Sequence, residues 1–120
     1  IGTPKMNILD CYQRGGFIYL EGNKDKKINI KTKLMDVKKI GFRSDNVILS
    51  DPKKNTLLGE IKFCEYLGSE QFVYVDCDIN DKLIVIKISP KIKVVLNKKV
   101  GLKFTSENIY FFSQNGNRIN

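Results

Sequence analysis

Side chains able to do chemistry are few in this chain, and most are carboxylates. Asp76, Asp78 and Asp81 crowd the stretch VDCDIND, and closely spaced carboxylates are what a divalent cation needs. The surrounding residues lack the glycine and closing glutamate of an EF-hand loop, so the stretch reads as a strand end and a polar turn. Glu60, Glu65 and Glu70 recur at intervals of five, and no spacing rule makes two of them a catalytic pair. The chain has no histidine, which removes the commonest general base and the Ser-His and Cys-His nucleophile pairs. Cys11, Cys64 and Cys77 are odd in number with no CxxC spacing. A zinc site and a disulfide framework are therefore not expected, and a reducing, cytoplasmic setting is. Cys77 keeps phase with Val73 and Val75 and reads as a core filler. There is no phosphate-cradling GxxxxGK[ST] loop and no Gly-Lys dipeptide. The reading is of a chain that is not an enzyme by itself and carries no cofactor and no metal.

A net charge of +8 ordinarily points to nucleic acid or an anionic surface. Here 18 lysines stand against three arginines, with no alanine. Lys, Asn and Ile come from A/T-rich codons, so much of this lysine reflects base composition and reads as solvated surface. Phe17, Tyr19, Phe72 and Tyr74 with flanking lysines imitate the aromatic platforms of an oligonucleotide-binding barrel. Arginine, the preferred fork for bases and phosphates, is nearly missing. A nucleic-acid module is the alternative reading.

The elements that must position these residues are strands. In KINIKTKL, Ile28, Ile30, Thr32 and Leu34 share one face, with lysines and Asn29 on the other. GFIYLEG precedes it across the polar turn NKDKK. LLGEIKFCEYLG places Ile61, Phe63 and Leu67 on one side; QFVYVDCDI, KLIVIKIS, IKVVLN, VGLKF and IYFF follow. Seven to nine short strands at intervals of about ten residues, divided by Gly, Pro, Asn and Asp, predict an all-β, OB-fold-like small barrel or sandwich in one domain, 1–120. A helical turn at KLMDVKKI or TSENIYF is the alternative locally, and neither has an apolar stripe over several turns. Gly2, Thr3 and Pro4 give an extended, turn-prone entry. Residues 1–8 read as a linker from an upstream piece of a longer protein.

One hairpin is apolar on both faces. Val73, Val75, Cys77 and Ile79 line one side, and Phe72 and Tyr74 stand opposite; in the next strand Leu83 and Val85 oppose Ile84, Ile86 and Ile88. Such a hairpin is covered on both faces, either by the domain itself or by a second protein surface.

Four stretches, in order, resemble one family, the ATP-binding subunits of ABC sugar importers of the maltose and glycerol-3-phosphate type. IGTPKMN resembles the segment following their ATPase core. IGFRSDNVILSD is similar to their Gly-Ile-Arg-Pro-Glu segment at Gly41 and Arg43, with Ser44 where proline is usual and Asp45 for glutamate. GEIKFCEYLGSEQFVYV resembles their strand pair through Gly59, Glu60, Glu65, Leu67, Gly68 and Glu70. IYFFSQNGNRI resembles the closing aromatic strand and glycine turn through Phe112, Gly116 and Ile119.

The resemblance spans residues 1–120 and implies the C-terminal regulatory domain, the transport-associated OB-fold (TOBE, Mop-like). It implies a parent subunit that binds ATP and Mg, a homodimer formed through that parent, contact with membrane-embedded permease subunits, and in some members a regulatory protein partner. It also implies a cytoplasmic position at the inner face of the membrane. The phosphate loop and catalytic histidine of such subunits lie upstream. Under this reading Gly41, Gly68 and Gly116 allow turns, and the change at Ser44 loosens one. Arg43 either fixes the following loop or is a surface cation. Phe112 either meets the twin subunit or is a core aromatic. Phe72, Tyr74, Leu83 and Val85 are the candidate dimer face.

Overall fold

A computed structural model describes residues 5–22, 24–54, 56–80 and 82–120. Its ten strands are β1 (Met6–Arg14), β2 (Phe17–Leu20), β3 (Lys26–Lys31), β4 (Lys39–Arg43), β5 (Val47–Ser50), β6 (Leu57–Leu67), β7 (Glu70–Ile79), β8 (Lys82–Ile88), β9 (Lys99–Phe104) and β10 (Tyr110–Phe112). They form two five-stranded sheets, ordered β10-β4-β1-β2-β3 and β5-β9-β6-β7-β8. All the pairings are antiparallel. The fold is all-β, as expected. The only helical pieces among the described residues are single 3₁₀ turns at Ser44–Asn46 and Ser106–Asn108. The second of these falls within TSENIYF, whereas KLMDVKKI bends through Asp36 at φ 61° and forms no helix.

One core lies between the sheets. Leu9, Ile18, Leu20, Ile28 and Ile40 face it from the first sheet, and Ile61, Val73, Val75, Ile84 and Leu102 from the second. Period-two alternation explains most of this, since side chains of one phase all meet the opposing sheet. Ile28 and Ile30 are buried as expected, while Thr32 and Leu34 lie past the end of β3.

Three departures have physical causes. First, residues 6–8 are not linker but the start of β1, paired with Arg43, Phe42 and Gly41. Asn7 sits at a buried position and Ile8 at an exposed one, so the local alternation is inverted. Residues 1–4 of the proposed linker lie outside the described residues.

Second, Ile61, Phe63 and Leu67 do not share a face. The β6–β7 register shifts between Ile61, opposite Val75, and Phe63, opposite Tyr74. One extra residue, Lys62, is a bulge and flips the phase beyond it. Ile61 is buried, whereas Phe63 and Leu67 are 43% and 49% exposed.

Third, IKVVLN is not a strand. Residues 90–98 form a loop that meets the bulge, where Asn97 N–H donates to Ile61 O (2.7 Å) and Ile61 N–H to Lys98 O (3.0 Å). Asn97 has φ 68°, in the left-handed region and outside extended geometry.

Candidate functional site

The two-faced hairpin β7–β8 is closed largely by the chain itself. Phe72, Tyr74, Val85 and Leu83 do share its second face, through the register Phe72↔Lys87, Tyr74↔Val85 and Asp76↔Leu83. Phe72 is only 2% exposed and has no surface to offer a partner, so it leaves the candidate dimer face. One contact on that face comes from Lys5, just before β1. Lys5 Nζ stands 5.3 Å from the ring centroids of both Phe72 and Tyr74. The same ammonium donates to Glu65 Oε1 (2.7 Å) and Tyr74 Oη (2.6 Å), and Tyr74 Oη donates to Glu65. The hydrogen bond from Lys5 is the main reason the Glu65 carboxyl is held below its ordinary pKa; that from Tyr74 adds to it. Lys5 is raised, chiefly by Glu65, and Tyr74 is raised, chiefly by burial.

Two residues along, the buried Asn7 amide donates to Val85 O (2.9 Å) and accepts from Val85 N–H (2.8 Å). One side chain thus does for the edge strand β8 what a neighbouring strand would do, at that residue. The 3₁₀ turn Ser44–Asn46 also packs on β8. Tyr74, Leu83 and Val85 remain half-buried.

The motif residues divide between turns and close packing. Gly68 and Gly116 adopt φ of 63° and 85°, conformations that glycine permits and other residues resist. Gly41 is not in a turn: it lies inside β4, opposite Ile8 and Tyr110, and its missing side chain leaves room for Phe112. Gly59, inside β6, is likewise crowded by Val75 and Cys77. Glu60 pairs with Lys62 and Glu70 with Lys87, both at 2.8 Å. Arg43 is exposed and makes no ion pair or hydrogen bond among the described residues, so it is a surface cation and not a loop anchor.

Ser44 does not loosen its turn. It is fully buried, and its N–H donates to Lys5 O at 2.8 Å, a bond that proline could not make. Phe112 is half-buried on the outer face of the first sheet.

The four aromatics of the nucleic-acid alternative are split between the two sheets. Phe17 and Tyr19 lie on β2 and Phe72 and Tyr74 on β7, so no single groove holds them. The outer face of the first sheet does carry a different set that the sequence left scattered. Tyr12 and Tyr19 stack across β1 and β2 with centroids 5.4 Å apart, and Arg14 lies over both rings. Lys27 stands 3.9 Å from the Phe17 centroid and Arg118 4.5 Å from that of Tyr110.

Cys11 and Cys77 are buried, which pushes both thiols up to about 12. Cys64 is half-buried, and its thiol donates to Gln71 Oε1. Asp76 accepts from the Asp78 N–H (2.8 Å), while Asp81 lies outside the described residues. No group of three metal-ligating side chains occurs among the described residues. Among the described residues, no helix is long and apolar enough to cross a membrane.

No protein-family model and no curated protein matches the chain. Among solved structures it is similar to the cytoplasmic molybdate-binding protein ModG, determined with molybdate bound. The TM-score is 0.56 at 10% identity, covering 94% of this chain and 98% of that one. At that identity the likeness is one of fold: the chain has an all-β, OB-like fold.

Proposed function

We propose that this chain is the regulatory TOBE-type domain of the ATP-binding subunit of an ABC importer for sugars or related solutes. The observation carrying this reading is the β6–β7 hairpin. Gly59, Glu60, Glu65, Leu67, Gly68 and Glu70, the ordered residues of the family resemblance, fall on that one unit and its turn. The domain acts by binding, not by chemistry. Its parent subunit binds ATP and Mg, works as a homodimer against membrane-embedded permease subunits, and sits at the cytoplasmic face of the membrane. Tyr74, Leu83, Val85 and Phe112 keep partial exposure and are the residues this domain offers to its twin. With Phe72 sealed inside, that contact is small, and the ATPase core supplies the rest of the dimer.

The decisive experiment reads the coding sequence upstream of residue 1. An in-frame ATPase core with a phosphate loop is the expected finding, and an unrelated upstream domain overturns the proposal. Titrating the chain with molybdate separates this reading from oxyanion binding of the kind ModG performs.

The second reading, a nucleic-acid module, is favoured by the Tyr12–Tyr19 stack and its cations. Single-strand binding that persists at high salt would promote it. Weak binding that falls steeply with salt is what unspecific lysine–phosphate contacts give.

A further inference from the structure

We propose that the loop 90–98 and the adjoining end of β6 form a docking surface for an acidic protein segment carrying apolar anchor residues. The inference goes beyond the importer reading and does not depend on it.

Ile92, Val95 and Leu96 are 50%, 56% and 54% exposed, and Tyr66 on β6 is similarly open; Phe63, whose ring stacks on Tyr74, is 43% exposed. Isolated exposed apolar residues are ordinary; a contiguous group is not. Phe63, Tyr66 and Leu96 line one cleft together, and Ile92 and Val95 line a second, so the group is continuous across the loop. The clefts measure 330 and 300 Å³, and Lys93 and Val94 are common to both.

The loop is also held in place. Gln71, fully buried, donates to Ser89 O (2.9 Å) and Ile92 O (3.0 Å) and accepts from Tyr66 Oη (2.8 Å) and from the Cys64 thiol. The far end is fixed by the backbone bonds to Ile61. A loop fixed at both ends presents its apolar residues without having to be ordered on binding, which removes part of the entropic cost of association.

Charge selects the occupant. Lys91, Lys93, Lys98 and Lys99 lie in or beside the loop, and none is in an ion pair among the described residues. Asp51 is the one carboxylate lining either cleft, against Lys93 and Lys98. A second copy would bring this lysine set against itself, which disfavours self-pairing. An anionic bilayer matches the charge but has no side chains to seat in two clefts. An acidic peptide with aromatic or aliphatic anchors satisfies both features.

The test pans a library of random 12-residue peptides against the immobilised chain and measures the affinity of the synthesised winners. Two variants accompany it, Val95→Ser with Leu96→Ser, and Lys93→Gln with Lys98→Gln. All four side chains are exposed, and unchanged thermal melts check that the variants fold. Winners rich in Asp and Glu with Phe, Leu or Ile anchors are expected, each variant weakening them about tenfold. Their binding should also weaken as salt rises.

The proposal is overturned by any of four results. These are an absence of winners, winners lacking acidic residues, and winners that bind both variants like the wild type. The fourth is loss, in the Val95→Ser, Leu96→Ser variant, of vesicle binding (phosphatidylglycerol in phosphatidylcholine) or of self-association seen by sedimentation, with no effect on peptide binding.

Discussion

Phe112 lies across Gly41. A β-carbon on that glycine would stand 2.9 Å from Cε2 of the ring, closer than such atoms approach. The contact joins the closing strand β10 to β4 on the outer face of the first sheet, and it makes the two motif residues one feature. Gly41→Ala is expected to lower stability by about 1 kcal/mol, at the low end for overpacking because the half-buried ring can shift. Denaturation of Gly41→Ala, Phe112→Leu and the double variant checks this. The glycine substitution should cost less in the Phe112→Leu background, and equal costs would mean the two do not interact.

Ser44 separates backbone from side chain. Its N–H bonds Lys5 O, while its Oγ is buried with no partner among the described residues. Ser44→Ala should therefore be neutral or stabilising by up to about 1 kcal/mol, since it removes an unpaired buried hydroxyl. Ser44→Pro deletes the N–H and should destabilise. Urea midpoints of the two variants give the comparison.

Gln71 holds the loop 90–98 with all four of its hydrogen bonds inside the protein. Gln71→Leu leaves two carbonyls and a tyrosine hydroxyl without this partner and should cost about 2–3 kcal/mol. Hydrogen exchange should accelerate at Ile92 N–H and Asn97 N–H more than in β1. A uniform change over the whole chain would mean that Gln71 supports the core in general and not this loop.

The Lys5–Glu65–Tyr74 cluster makes stability depend on acid. Glu65 has a lowered pKa in the folded chain, so the unfolded chain takes up this proton first as pH falls. The contribution is present above the ordinary carboxylate pKa and is lost as pH falls through the lower folded value. The urea midpoint should fall less between pH 6 and pH 3 in Glu65→Gln than in the wild type. Parallel curves would show that the cluster carries no such linkage.

Thiol reactivity should rank by burial. With pKa values of about 12, Cys11 and Cys77 are thiolate in only about one molecule in ten thousand at pH 8. An aromatic disulfide reagent should modify Cys64 first in the native chain and the other two only on unfolding. Mass mapping after partial labelling settles the order.

Apolar alternation along the chain is enough to make it all-β and to show where most of its strands run. Ile28, Ile30, Val75, Ile84 and Ile86 alternate with polar or half-buried neighbours, and alternation alone assigns them to a core face. The glycine turns at Gly68 and Gly116 were legible because a positive φ selects a residue type locally. Tertiary structure decided whatever depends on a second sheet. A buried Asn7 inverts the pattern that would mark the start of β1, because its partner, Val85, is 78 residues away. The bulge at Lys62 turns Phe63 away from Ile61, and a one-residue register shift leaves no mark in composition. IKVVLN has the composition of a strand, yet its backbone groups meet a bulge and a glutamine instead of a ladder. What covers Phe72 was likewise undecided in the sequence, since apolar character on both faces demands a cover without naming it. In the folded chain Phe72 is 2% exposed, with Lys5 over its ring and Asn7 bonded to Val85 on the same hairpin.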